Sequence, residues 1–130
     1  MALEELRRHA DDLTEATGIK VAIEQEGLQV FVMLREVLLP PGAYQIRATD
    51  VLFIADMQYP LSAMDMFWTD PAVLRLDGSP SQGAESLETY CGRQWRRFSW
   101  HRNGIWNPNG NPLLDHFEFM QARFAHEVAS

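Results

Sequence analysis

Apolar residues recur at three- and four-residue spacing at the start of the chain. Leu3, Leu6, Ala10 and Leu13 form one narrow stripe over residues 2–17, which predicts an amphipathic surface helix. Glu4 and Arg8 sit four apart and add weak support. Thr17-Gly18 supplies the stop, because glycine accepts the positive φ of a helix end. The period then changes to two. "IKVAIEQ" alternates Ile19, Val21 and Ile23, and "LQVFVMLREV" places Leu28, Val30, Val32 and Leu34 on one face. Glu26-Gly27 between them reads as a hairpin turn. "LPPGAY" at 39–44 is a turn, since consecutive prolines bar a helix. "VLFIAD" at 51–56 is apolar on both faces, as a central strand requires. Tyr59-Pro60 breaks it, and "AMDMFW" at 63–68 resumes it. A four-stranded antiparallel meander following a helix is the expected core.

Residues 69–112 have a different texture. Prolines and glycines punctuate a long irregular stretch that carries Trp95, Trp100 and Trp106. A loop of this length in a compact domain is usually functional or disordered, and the aromatics favour order. A short strand within "RQWRRFSWH" is compatible with its alternation. The end is a helix: Asn111 caps it, Pro112 takes its first position, and Asp115 complements its dipole. Leu113, Phe117, Met120, Phe124 and Val128 trace its apolar face. The fold class is therefore α+β, read as one domain over residues 1–130.

Composition narrows the function classes. With 46% apolar and 22% charged residues, a folded domain is expected. The net charge of −7, with Lys20 as the single lysine, argues against wrapping nucleic acid or an anionic membrane. One cysteine, Cys91, excludes an intramolecular disulfide. The N-terminus lacks the continuous apolar core of a signal peptide, and no apolar run approaches the roughly 20 residues that span a bilayer. A reducing, cytoplasmic setting is the expectation.

The order of helix, meander, tyrosine-proline, long loop with a cysteine, and helix resembles the ubiquitin-conjugating enzymes. The local match runs through "AYQIRATDVLFIADMQYPLSAMDMFWTDP", residues 43–71, with Tyr44, "VLFIAD", Tyr59-Pro60, "MDMFW" and Pro71 in the family's order. The "MDMFW" strand and the Trp95, His101, Trp106 segment are similar to the prokaryotic branch known as family E. The chain departs from the eukaryotic pattern at "TDPAV", which has neither the histidine nor the asparagine of the histidine-proline-asparagine tripeptide. The proline pair usual after tyrosine-proline is replaced by "LSAMD", and the cysteine arrives late.

The resemblance implies an acyltransferase. A ubiquitin-like protein's C-terminal carboxyl would be received from an activating enzyme as a thioester on Cys91 and passed to an amine of a protein target, with no cofactor in this subunit. Gly92 lets a partner backbone approach Cys91, and His101, ten residues on, would return beside it as base or oxyanion donor. By the same resemblance Arg7 and Arg8 of the first helix meet the activating enzyme. Each assignment has a plainer counterpart: Cys91 as core filler, His101 as an exposed loop residue, Arg7 and Arg8 as a solvated face. Ser79, Ser81 and Thr89 are alternative hydroxyl carriers of an oxyester. Arg93, Arg96, Arg97 and Arg102 interleave with Trp95, Phe98 and Trp100, a mix also used for stacking on single-stranded nucleic acid. No histidine or cysteine pair has zinc-like spacing, so no metal is expected. A scaffold of the same fold, binding the ubiquitin-like protein or its activating enzyme without chemistry, is the alternative.

Overall fold

A computed structural model describes residues 2–101 and 106–129. Its elements are α1 (Ala2–Thr17), β1 (Val21–Glu26), β2 (Gln29–Leu38), β3 (Ala48–Asp56), β4 (Phe67–Thr69), β5 (Ser86–Tyr90), β6 (Arg93–Phe98) and α2 (Pro112–Ala129). The strands form one sheet in the order β1-β2-β3-β4-β6-β5, every neighbouring pair antiparallel. Six strands replace the four expected. The additional pair is the β5–β6 hairpin, which lies within the stretch expected to be mostly irregular. β6 confirms the short strand in "RQWRRFSWH" and adds itself to the exposed side of β4. β4 is correspondingly short, because Met66 takes a φ of 59° and interrupts extended backbone just before Phe67.

Alternation along the strands creates two apolar faces. Val30, Val32 and Leu34 of β2, Val51, Phe53 and Ala55 of β3, Phe67 of β4 and Phe98 of β6 share the main core. Both helices cover this face. Leu6, Ala10 and Leu13 come from α1, and Leu113, Phe117, Met120 and Phe124 from α2. The Phe67 and Phe98 rings stack at 4.9 Å, and Phe124 meets both edge-on. Val128 lies outside the residues whose side chains are described. Leu28, expected in this core, is 78% exposed. The pairing of Glu26 with Gln29 makes Gly27-Leu28 the two-residue turn, so Leu28 sits at its tip.

The opposite face is covered by the chain itself. The β5–β6 hairpin outruns the three-residue β4 and bends across the sheet. Trp95 packs there with Phe31, Leu52 and Trp68, with Met33, Ile54, Tyr90 and Cys91 around them. The Tyr90 ring lies 5.6 Å from Phe31 and 5.8 Å from Trp68. Residues 70–85 between β4 and β5 are ordered by backbone bonds from Gln45 to Leu74 and from Ser99 to Gly83. Val73 and Ala84 anchor that segment in the main core. α2 starts as expected: Asn111 Oδ1 accepts from the Leu114 N–H at 3.0 Å, while Asn111 Nδ2 donates to the His9 carbonyl at 3.2 Å and ties the helix start to α1.

Candidate functional site

Cys91 stands at the apex of the β5–β6 hairpin. Tyr90 pairs with Arg93, leaving Cys91-Gly92 as a two-residue connection with φ of 53° and 74°. Positive φ at both positions is the type I′ arrangement that matches strand twist, and asparagine or glycine usually fills it. A cysteine there costs about 1 kcal/mol of backbone strain. Open space surrounds Gly92: a Cβ built there would meet nothing within 4 Å. The thiol is half-buried against the second apolar cluster and faces β1. Burial, reinforced by the charge and hydrogen bonding of Glu24 and by the charge of Glu26, pushes it up to about 11. At neutral pH the thiol is therefore protonated in nearly every molecule.

The hairpin is pinned by ions. Arg93 Nη1 donates to Asp50 Oδ2 at 3.0 Å, and its other terminal nitrogen is paired with Asp70. Arg35 reaches the same Asp50 oxygen at 3.1 Å. The Arg93 guanidinium also lies 4.2 Å above the Trp95 ring. Burial raises the Asp50 carboxyl, but hydrogen bonds from the Glu36 N–H and Arg93, with the charges of Arg35 and Arg93, outweigh it and hold that group below the usual carboxylate range. Further along, Glu88 accepts from Trp68 Nε1 at 2.8 Å, Tyr90 Oη at 3.1 Å and Arg97 Nη1 at 2.7 Å. Arg96 donates to the carbonyls of Pro71 and Ala84. Of the arginines whose interleaving with aromatics is also used for stacking on single strands, 93, 96 and 97 are engaged by carboxylates and carbonyls of the fold, and Arg102 lies outside the described residues. Trp95 is fully buried, and Trp100 and Trp106 pack against the main core.

His101 does not return to Cys91. β6 runs between them as six extended residues, roughly 20 Å of backbone, so the two lie at opposite ends of that strand. His101 is instead hydrogen-bonded through Nδ1 to Asp65 Oδ2 at 2.5 Å, with the imidazole 68% exposed. Asp65 comes from the β3–β4 connection. The neighbouring Met66 carbonyl bonds buried His116 Nε2 at 2.7 Å. A carboxylate-oriented imidazole facing solvent has the geometry of a proton acceptor, but no thiol shares its end of the sheet.

Arg7 and Arg8 are exposed on α1. Arg8 approaches Glu5 at 3.7 Å, and Glu4, Asp11, Asp12 and Glu15 make the helix predominantly acidic. Its inner face is anchored where His9 Nδ1 meets the Tyr59 hydroxyl at 2.7 Å. Tyr59 precedes a cis peptide bond to Pro60, whose carbonyl accepts from Trp106 Nε1 at 2.6 Å. Among the alternative hydroxyls, Ser81 is buried, Ser79 Oγ donates to Asp77 at 2.6 Å, and Thr89 is exposed on β5. Among the described residues no three His, Cys, Asp or Glu side chains gather as metal ligands. Nor is any helix there long and apolar enough to cross a membrane.

Glu24, Asp65, Asp50 and Asp70 are site neighbours that sequence reasoning misses. Strand alternation does place Glu24 on the face opposite Ile23. What covers that face becomes visible once the hairpin is folded over it.

An α+β sheet with a helix at each end of the chain, a tyrosine-proline after the third strand and a cysteine in a turn beyond the fourth is consistent with the ubiquitin-conjugating fold. The family model of prokaryotic E2 family E matches residues 8–127, and the chain belongs to that family. No curated protein and no solved structure matches it significantly. Membership in this E2-like family suggests a part in ubiquitin-like conjugation, with a ubiquitin-like protein and its activating enzyme as the general kind of partner.

Proposed function

We propose that this chain is the conjugating component of a ubiquitin-like pathway, with Cys91 as the acyl carrier. The observation that carries this reading is the position of Cys91: a half-exposed thiol at a turn apex, in a strained left-handed conformation, beside the open space at Gly92. Backbone strain concentrates at functional positions, and a free apex gives an extended C-terminal tail access. The incoming thioester carbonyl is attacked by Cys91 Sγ; a C–S bond forms, the activating enzyme's C–S bond breaks, and that enzyme's sulfur leaves with the electron pair. The Cys91 proton passes to Glu24, the carboxylate within hydrogen-bond reach of the thiol. An acceptor amine then displaces Cys91 in the same manner. A thiol of high pKa is scarce as anion but strongly nucleophilic once formed, and it is a reluctant leaving group. Such a carrier holds its cargo until an amine is presented. His101 and Asp65, at the far end of β6, lie too far from Cys91 to take a proton from an amine attacking there and stand outside the transfer step. Arg7 and Arg8 are the points of α1 offered to an acidic partner.

The second reading is a scaffold that binds the same partners without chemistry. It is favoured by the weak acidity of the Cys91 thiol and by its distance from His101. Incubation with an activating enzyme, its ubiquitin-like protein and ATP separates the two. A reductant-labile adduct lost in Cys91→Ala supports the carrier. Co-elution of the partners without an adduct supports the scaffold. An adduct that survives both reductant and Cys91→Ala moves the carrier to a hydroxyl such as Thr89.

A further inference from the structure

Thioester exchange at Cys91 passes through a tetrahedral centre whose former carbonyl oxygen carries negative charge, and the site that runs it must offer that oxygen hydrogen-bond donors. The side chains expected for the task are not at hand. "TDPAV" has no asparagine, and His101 lies at the other end of β6. Among the described residues, the side-chain donors around the turn are committed elsewhere. Tyr90 Oη and Trp68 Nε1 donate to Glu88. Trp95 Nε1 donates to the Tyr90 carbonyl at 3.0 Å, and the Arg93 guanidinium to Asp50 and Asp70. Thr89 and Gln94 pair across the hairpin and point to the other face, away from Tyr90 and Trp95.

The main chain of the turn is not committed. The Tyr90–Arg93 pair uses the N–H groups of its own two residues, as a two-residue hairpin does. Among the described residues, the N–H groups of Cys91 and Gly92 have no hydrogen-bond partner. With φ of 53° and 74°, both residues lie in the left-handed helical region. Consecutive residues of one helical hand turn their N–H groups the same way, as the first turn of a helix does, and such groups in turns hold anionic oxygen. Extended backbone would point the two in opposite directions, so the strained conformation at Cys91 is what aligns them. The Cys91 N–H is near the reaction without any docked partner, because its nitrogen and the attacked carbon are joined through one Cα–Cβ–Sγ link. Gly92 leaves room for the oxygen, since a Cβ there would meet nothing within 4 Å.

We propose that the N–H groups of Cys91 and Gly92 are the oxyanion donors of this carrier, which makes Gly92 a catalytic residue acting through its main chain. This deepens the carrier reading and rests on it. In the step, Cys91 Sγ, its proton given up to Glu24, forms a C–S bond to the thioester carbonyl carbon. The carbonyl π electrons move onto oxygen, where the two N–H groups stabilise them. They return as the donor's C–S bond breaks, and the donor sulfur leaves with the electron pair.

The test replaces Gly92 by glycolic acid. The Cys91–Gly92 peptide becomes an ester, which removes that N–H and no hydrogen bond of the described fold. The acyl donor is a diglycine peptide thioester of mercaptoethanesulfonate, and mass spectrometry follows the adduct on Cys91. Alkylation by iodoacetamide runs alongside, because it takes place at a saturated carbon and forms no oxyanion. The expected result is acylation slowed about tenfold to a hundredfold, with alkylation unchanged. Gly92→Asn keeps the N–H and tolerates positive φ, and should be acylated like wild type. Equal acylation of the ester and the wild type overturns the inference and leaves the carrier reading standing. So does an equal slowing of acylation and alkylation, which would reduce Gly92 to a matter of turn shape. A Gly92→Asn chain as slow as the ester overturns it too, since room rather than the N–H would then count. Wild-type Cys91 that is alkylated but never acylated removes the carrier reading, and the inference with it.

Discussion

Asp50 and Arg93, 43 residues apart, meet at 3.0 Å and fasten the start of β6 to β3 directly behind the turn that carries Cys91. This pair joins the meander to the hairpin folded over it. Replacing Arg93 with Ala takes one cation from both Asp50 and Asp70, Asp50 keeping Arg35 and the Glu36 N–H. The expected loss is about 1–2 kcal/mol, discounted because Arg93 is a third exposed, and a urea midpoint measures it. Cys91 in that variant should be alkylated faster, since its turn is no longer held.

The Asp50 carboxyl gives this contact a pH dependence. Its folded pKa is depressed, so its contribution is complete above the unfolded value of about 3.9 and disappears as pH falls through the folded value. Wild-type stability should therefore decline below about pH 4 by more than that of Asp50→Asn. Parallel melts at pH 3, 4 and 6 decide this; parallel curves for the two proteins would contradict it.

Burial, and after it the charge and hydrogen bonding of Glu24, hold the Cys91 thiol in its protonated form. Glu24→Gln removes the adjacent charge, and alkylation by iodoacetamide at pH 8 should accelerate severalfold while the burial contribution stays. If Glu24 also accepts the thiol proton during transfer, the same variant charges more slowly with an activating enzyme. The two assays then move in opposite directions, which a purely structural role for Glu24 does not produce.

Tyr59 and His9 couple α1 to the end of β3. Tyr59→Phe leaves His9 Nδ1, inside the fold, without its hydroxyl partner at 2.7 Å, and should cost about 1–2 kcal/mol by thermal or chemical denaturation. His9 is held below its ordinary pKa by burial and by the charge of Arg8. Its depressed value makes the folded state lose stability as pH falls below about 6.5, where the unfolded chain takes up a proton more readily.

Trp95 fills the centre of the second cluster and donates Nε1–H to the Tyr90 carbonyl at 3.0 Å. Trp95→Ala should destabilise the fold by about 3–5 kcal/mol, enough to threaten folding altogether. Trp95→Phe retains most of the ring, should fold, and should still expose Cys91 to alkylation more than wild type does.

Much of the frame is legible in the residue pattern. Leu6, Ala10 and Leu13 give α1, Leu113 to Phe124 give α2, and the alternation of Val30, Val32 and Leu34 gives β2 its inner face. β5 escapes because it is an edge strand: Leu87 and Thr89 face solvent while Glu88 turns inward to bind Trp68 and Arg97, the inverse of the usual alternation. Its turn is also disguised, with cysteine where asparagine would announce a hairpin. Cys91 draws attention as the chain's single cysteine, whereas the expected return of His101 to its side does not occur. Reading residues 93–101 as part of a loop permits a return to Cys91, and the extended β6 forbids it. Asp65 carries no sequence signal, since its partnership with His101 spans 36 residues and depends on the path between β3 and β4.

The sheet's two coverings have a consequence for recognition. Helices occupy the middle of one side and the chain's own hairpin the middle of the other, so the described residues offer no broad apolar plateau there. Among them, the large exposed apolar side chains stand at the margins: Leu28 on a turn, Leu38 at a strand end, Leu61 and Leu76 in connections, Leu87 on the outermost strand. A protein that binds this one must grip it by the rim, assembling its contact from separate corners, and the Cys91 turn is one of them.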